Sequence, residues 1–109
     1  MAAISYDDFK KMDIRIVKVV GAEKIPEKTK ILKLMIDIGS GETRIIIAGG
    51  AEYYTPDYFV DKKFVALVNL PPRKIAGIDS QGMLLAADDG PKPIWLIADG
   101  DAPIGAKVM

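Results

Sequence analysis

The sequence predicts an all-β fold, a small closed barrel with one short N-terminal helix. Three observations carry this. At least five short strand-like runs fit into 109 residues. The stretch from Ile31 to Ile38 alternates cleanly, with Leu32, Leu34, Ile36 and Ile38 on one face and Lys33, Met35 and Asp37 on the other. Glycine and proline punctuate the runs, and no repeat or linker interrupts them. By pattern alone a β-sandwich is the rival architecture.

Taken in order, Ser5 to Met12 reads as a short helix. Ser5 is the N-cap, Asp7 and Asp8 sit in the first turn, and Lys10 and Lys11 close it. Ile14 to Val20 is a β-branched run, bounded downstream by Gly21 and Pro26. Gly39-Ser40-Gly41-Glu42 has a tight-turn composition and should join the alternating strand to Thr43–Ala48 as a hairpin. Thr55 and Pro56 mark one helical turn, with Thr55 as cap and Pro56 at the first helical position. Strand-like runs follow at 63–69, 83–87 and 94–98, the last two separated by Asp88-Asp89-Gly90-Pro91.

The length is that of one domain, 1–109, with a modest stability reserve. Half the residues are apolar and 28% charged, which is ordinary for a globular chain. With no Cys and no His, disulfides, thiolate metal sites and His-containing catalytic triads are excluded. Composition leaves carboxylate-only magnesium sites open, and no spacing of Asp or Glu points to one. No phosphate-binding glycine loop or dinucleotide fingerprint follows a strand, so no cofactor is expected. No run is long and apolar enough to cross a bilayer, and the N-terminus has no secretory pattern. The expectation is a cytoplasmic chain that begins at its own Met1. Net charge is zero, yet it is unevenly spread. Segment 61–83 sets Lys62, Lys63, Arg73 and Lys74 against Asp61 and Asp79, and a neutral total can hide a local positive face.

The most informative segment is Asn69 to Leu85. It is a polar, basic loop between two apolar runs. Pro71-Pro72 removes two backbone donors and stops the preceding strand, and Gly77 and Gly82 permit backbone conformations closed to other residues. Arg73, Lys74, Ser80 and Gln81 supply two cations and two neutral hydrogen-bonding groups, with no nucleophile–base pair. That is equipment for binding an anionic, hydrogen-bonding ligand. Asn69 can fix the Pro-Pro turn or meet a ligand, and Ser80 and Gln81 share that ambiguity. By chemistry alone Met83 belongs in the core, and composition alone reads Arg73 and Lys74 as a solvated loop.

The pattern Asn69-Leu70-x-Pro72-x-Lys74-x-x-Gly77-x-x-Ser80-x-Gly82-Met83 resembles the signature of the tRNA-binding domains attached to or associated with methionyl-tRNA synthetase. That family also includes free-standing tRNA-binding proteins and CsaA-type export chaperones. The resemblance runs from about Phe9 to the C-terminus. Its other landmarks are Asp13–Val17, Lys30–Leu34, Ile36–Gly39, Arg44–Gly49 and Tyr53–Pro56.

The resemblance implies an OB-fold barrel of five strands with added terminal strands, and a non-catalytic tRNA-binding protein or trans-acting β subunit of methionyl-tRNA synthetase. On this reading Lys33, Arg44, Arg73 and Lys74 hold phosphates, while Asn69, Ser80, Gln81 and Met83 meet exposed bases or sugars. Lys33 and Arg44, on the second and third strands, are expected to share one face. Partners are tRNA, a synthetase catalytic chain and a second copy of the chain. Pairing would use Ile94-Trp95-Leu96-Ile97 and the tail residues Ile104, Val108 and Met109. The alternative is a CsaA-type chaperone holding extended peptides in an apolar groove lined by Leu70, Ile75 and Ile78. An enzyme has least support. Tyr53, Tyr54, Tyr58, Phe59 and Trp95 offer stacking faces, but their clustering favours packing and hence recognition of a folded RNA's shape. The chain departs from the family pattern at Gly50, expected to loosen its turn, at Pro71, which costs a cation, and at Asp61, where a turn glycine is common.

Overall fold

A computed structural model describes residues 2–109. The first helix, α1 (Tyr6–Lys10), begins as expected: the Ser5 hydroxyl accepts the Asp8 N–H at 3.0 Å. Five strands form the barrel sheet: β1 (Ile14–Lys24), β2 (Ile31–Asp37), β3 (Thr43–Gly49), β4 (Lys63–Leu67) and, after a hairpin, β7 (Met83–Leu84). Their order is β3-β2-β1-β4-β7, antiparallel throughout. The helical turn α2 (Pro56–Phe59) lies between β3 and β4, and Pro56 occupies the first turn. Thr55 precedes it in extended conformation, without a side-chain cap bond.

The alternation of β2 is realised without exception. Leu32, Leu34, Ile36 and Ile38 are fully buried, and Ile46, Ala48, Val17, Val19, Phe64 and Ala66 meet them across the core. Gly21 does not end β1. The register shifts between Val19 and Gly21, a bulge that leaves Val20 exposed, and the strand runs on to Lys24. Gly21 lies opposite Met35 there, whose methyl carbon fills the space a Cβ would enter, 2.7 Å from its position.

The 83–87 run divides into β7 and β8 (Ala86–Asp89), and β8 pairs with β9 (Lys92–Trp95) around Gly90-Pro91. Leu96 continues the structure by bonding to Leu85 and Val65 rather than as a strand. The C-terminal tail laces the edge of β1 that β2 leaves uncovered, through Gly105 N–H to Ile16 O and Val108 N–H to Ile14 O, each 2.7 Å. Val108, partly buried, packs there against a small second cluster of Ile14, Ile16 and Val65.

Tyr54, Tyr58, Phe59, Phe64 and Trp95 close the barrel as one aromatic cluster with ring centroids 4.7 to 6.5 Å apart. Phe59 is fully buried, so the packing reading of these rings holds. Gly50 is the reverse of loose. Its φ is +85°, a Cβ would meet Pro93 at 2.8 Å, and its carbonyl accepts both Tyr53 and Tyr54 N–H at 2.9 Å. Asp61 adopts the left-handed conformation (φ +67°) that a turn glycine would favour.

Candidate nucleic-acid interface

The segment after β4 is more ordered than a loop. Pro71-Pro72 ends the chain's run along the barrel, and a hairpin of β5 (Arg73–Ile75) and β6 (Ile78–Ser80) projects beyond it. The two turn residues, Ala76 (φ +52°) and Gly77 (φ +78°), are both left-handed, the requirement of a type I′ turn. Nothing lies within 4 Å of where a Gly77 Cβ would stand, so the tip is free of the rest of the fold.

Its base is fixed by side chains that imitate a strand. The outer edge of β3 has N–H groups at Ile45 and Ile47 with no neighbouring strand to receive them. Gln81 Oε1 accepts the first at 3.0 Å, and Ser80 Oγ accepts the second at 3.0 Å. The Gln81 N–H returns a bond to Ile45 O at 2.7 Å, and Gly82 approaches so closely that a Cβ would stand 2.8 Å from Leu67 O. Ser80 is 4% exposed. These bonds close the barrel and aim the hairpin.

Leu70, Pro71 and Pro72 form a ridge shared by two grooves, each of about 570 Å³. One is apolar, lined by Ile47, Ile75, Gly82 and Met83, with Arg73 and Ser80. The other is polar, lined by Asp13, Glu42, Thr43, Arg44, Asn69 and Gln81.

The eight residues expected to contact ligand therefore separate. Arg73 is exposed on the hairpin, and its guanidinium has no salt-bridge partner among the described residues. Lys74, across from Asp79, forms a loose ion pair at 3.8 Å with both side chains mostly exposed. Met83 is 46% exposed at the apolar groove, against its chemistry-only assignment to the core. Asn69 clamps the polypeptide: its Oδ1 accepts the Asp13 N–H at 2.8 Å and its Nδ2 donates to Lys11 O at 2.7 Å. Both amide atoms have partners of fixed character, so its orientation is unambiguous.

The shared face expected for Lys33 and Arg44 is not found. Lys33 sits opposite Ile47, on the outer face, and pairs with Glu23 at 3.4 Å. Arg44 sits opposite Ile36 and so follows the core-facing parity. At the barrel's end its guanidinium donates to Val68 O and to Glu42. Glu42 escaped the sequence reading; its i, i+2 spacing with Arg44, one strand face, was the available signal. A second Arg–carboxylate pair stands nearby. Arg15 grips Asp13 through Nε and Nη2, both at 2.8 Å, and these hydrogen bonds hold the Asp13 carboxyl below its ordinary pKa. Among the described residues no cluster of three or more carboxylates suggests a metal site.

A five-stranded antiparallel barrel with a cationic hairpin beside its outer strand face defines a ligand-binding barrel of the OB type. Residues 14–107 match the family described as "Putative tRNA binding domain". The chain belongs to that tRNA-binding domain family. It is 52% identical over 106 residues to methionine–tRNA ligase of Thermotoga maritima, covering 97% of this chain and 17% of that enzyme. It is 46% identical over 109 residues to the enzyme of Methanosarcina mazei, covering 99% and 15%. The chain thus spans about a sixth of the curated relatives it matches. Among solved structures, a MetRS-related protein of Pyrococcus horikoshii superposes with a TM-score of 0.92 at 36% identity, each chain covered completely. The chaperone CsaA of Bacillus anthracis superposes with a TM-score of 0.89 at 28% identity, covering 99% of this chain and 100% of that one.

Proposed function

We propose that this chain binds tRNA through the β5–β6 hairpin, as a module that does no chemistry of its own and serves a methionyl-tRNA synthetase. The observation that carries the reading is the hairpin itself. It presents Arg73 and Lys74 to solvent on a free tip while Ser80 and Gln81 hold its base to the barrel. Cations on a projecting ribbon can reach phosphates on both sides of a ridge. The family and the synthetase relatives support tRNA as the ligand. Holding tRNA beside a catalytic chain raises its local concentration, so such a module adds affinity without new chemistry. A cytoplasmic setting and independence from any cofactor go with this reading.

A homodimer is part of the proposal. Ile97 is 68% exposed and Ile94 and Leu96 are both 41% exposed on one stretch beside the barrel, an apolar surface that a second copy would cover. Two hairpins would then engage one RNA, and the particle mass from light scattering reports whether the pairing occurs.

The test is the Arg73→Ala/Lys74→Ala double variant, assayed with unfractionated tRNA across a salt series. Each lost phosphate contact should lower the log–log salt slope by roughly 0.7–0.9. Both residues are exposed and the one ion pair lost, Lys74 with Asp79, is loose and solvent-exposed, so the melting temperature should change little. Unchanged tRNA affinity in the folded variant would put the RNA on another surface. The apolar groove also meets the requirement of the peptide-binding alternative, through Leu70 and Ile75 but without Ile78. An extended apolar peptide that displaces tRNA stoichiometrically, and that binds the double variant undiminished, would favour that reading.

A further inference from the structure

We propose that the polar groove between β3 and the Leu70-Pro71-Pro72 ridge is a pocket for one unstacked guanine, with Glu42 as its specificity-determining residue. The inference rests on the RNA-binding reading and adds a base to it.

The argument begins with which polar atoms are already spent. Arg44 places Nε and Nη2 on the same carboxylate oxygen of Glu42, Oε2, both at 3.0 Å. Its third guanidinium nitrogen donates to Val68 O. Arg44 is therefore a positioning residue, committed to holding Glu42, with little left for a phosphate. Glu42 Oε1 has no hydrogen bond among the described residues, and the side chain is 57% exposed. The backbone of Glu42 is pinned on both sides, its N–H by Gly39 O at 3.1 Å and its carbonyl by Ile38 N–H at 3.0 Å. This is an oriented carboxylate acceptor on a rigid turn.

Gln81 supplies the complement. Its Oε1 is held by Ile45 N–H, a donor, which fixes the flip of the amide and leaves Nε2 as a donor without a partner among the described residues. Both side chains line the same groove, and Leu70, Pro71 and Pro72 offer it an apolar wall. An acceptor with charge, a neutral donor and a flat apolar wall together describe a planar heterocycle rather than a phosphate. A phosphate would meet the Glu42 and Asp13 carboxylates in this groove, with both neighbouring arginines already committed to them.

Among the four bases, guanine offers the free Glu42 oxygen the most donors. Its N1–H and N2–H are adjacent donors that suit one carboxylate, and O6 beside them accepts from an amide. Adenine and cytosine each bring the carboxylate a single amino group, with no second N–H beside it. Uracil has a single N–H flanked by two carbonyl oxygens. Sequence-specific RNA recognition works through such splayed-out bases, read on their Watson–Crick edges. The groove is large enough for a base at about 570 Å³ and open enough to admit one from a loop.

The test uses the intact chain and pentanucleotides of uridine whose central position is guanosine, inosine or adenosine, competing against fluorescently labelled tRNA. Inosine differs from guanosine only by the missing N2 amino group. Guanosine should compete about ten-fold better than inosine, the factor expected for one hydrogen bond to a charged group, and better still than adenosine. Glu42→Gln keeps the shape of an exposed side chain and should fold, which its melt will report. It should weaken the guanosine oligomer about ten-fold, erase its advantage over inosine and leave the salt slope unchanged.

A merely electrostatic role for Glu42 gives the opposite sign. Removing a negative charge would then tighten every RNA equally, and that result overturns the proposal. So does equal competition by guanosine and inosine in the unaltered chain. The hairpin reading fails separately: a guanosine preference that persists while Arg73→Ala/Lys74→Ala leaves tRNA binding untouched would remove the hairpin and keep the pocket.

Discussion

Replacing Ser80 by Ala should destabilise the whole barrel, although Ser80 stands in the segment that the family pattern assigns to ligand. Its hydroxyl is the acceptor for the Ile47 N–H on the free edge of β3, and the residue is 4% exposed. Alanine removes that acceptor without making room for a well-bonded water. A buried donor left unsatisfied costs about 1–3 kcal/mol. The second bond of the hydroxyl, to Gly82 O at 3.3 Å, is long and adds little. For a domain of this size, 1 kcal/mol moves the melting temperature by about 4–8 °C, so the loss should be on the order of 5–20 °C.

The edge of β3 is shared between the barrel core and the hairpin. The destabilisation should therefore appear in the global melt followed by circular dichroism, and also as faster hydrogen exchange at the Ile47 amide. Binding measured well below the melt should fall only as far as the hairpin loses its aim. A Ser80→Ala chain that melts with the wild type, keeps the Ile47 amide protected and yet loses tRNA would refute the reasoning. Ser80 would then be a ligand contact.

Two further outcomes are expected. Arg15 holds Asp13 chiefly by hydrogen bonds and lowers its folded pKa, so the pair stabilises above the ordinary carboxylate value of about 3.8 and the benefit disappears as pH falls through the lowered value. The melting-temperature gap between wild type and Asp13→Asn should therefore be full near neutrality and shrink in acid; a gap that does not vary with pH would contradict it. Light scattering at micromolar concentration should return about twice the chain mass, and Ile97→Asp should halve it while the melt stays cooperative. A monomeric wild type would remove the two-hairpin part of the proposal.

Much of the fold was legible because its signals are local. The β2 alternation placed four side chains in the core in advance, and Ser5 and Pro56 marked both helix starts. The hairpin of residues 73–80 looks like loop in the sequence for a physical reason. Its strands are three residues each, and its type I′ turn carries Ala-Gly rather than the Asn-Gly or Gly-Gly that usually announces one. Ala76 pays a left-handed backbone cost that no periodicity reveals. Of the two bounds after Val20, Gly21 is a bulge and the strand ends two residues before Pro26, since a glycine that ends a strand and one that bulges it look alike before the partner strand is known.

Sequence singles out the segment that carries Asn69, Ser80 and Gln81 but not the division of labour within it. Nothing in their chemistry says whether a polar side chain faces a ligand or an unpaired backbone group. That depends on where strand edges lie, which is a property of the closed barrel. Once β3 is seen to have a free edge, Ser80 Oγ and Gln81 Oε1 are needed there to accept the N–H groups of Ile47 and Ile45, which leaves Gln81 Nε2 free for a ligand. The same logic separates the arginines and lysines. A cation opposite a buried isoleucine, as Arg44 is, must find internal acceptors as it emerges from the core face, and it takes Val68 O and Glu42. A cation on a ribbon outside the barrel has no such obligation. Arg73 is therefore the residue on which a phosphate has the strongest claim, and Arg44 the one whose effect on RNA should pass through the carboxylate it holds.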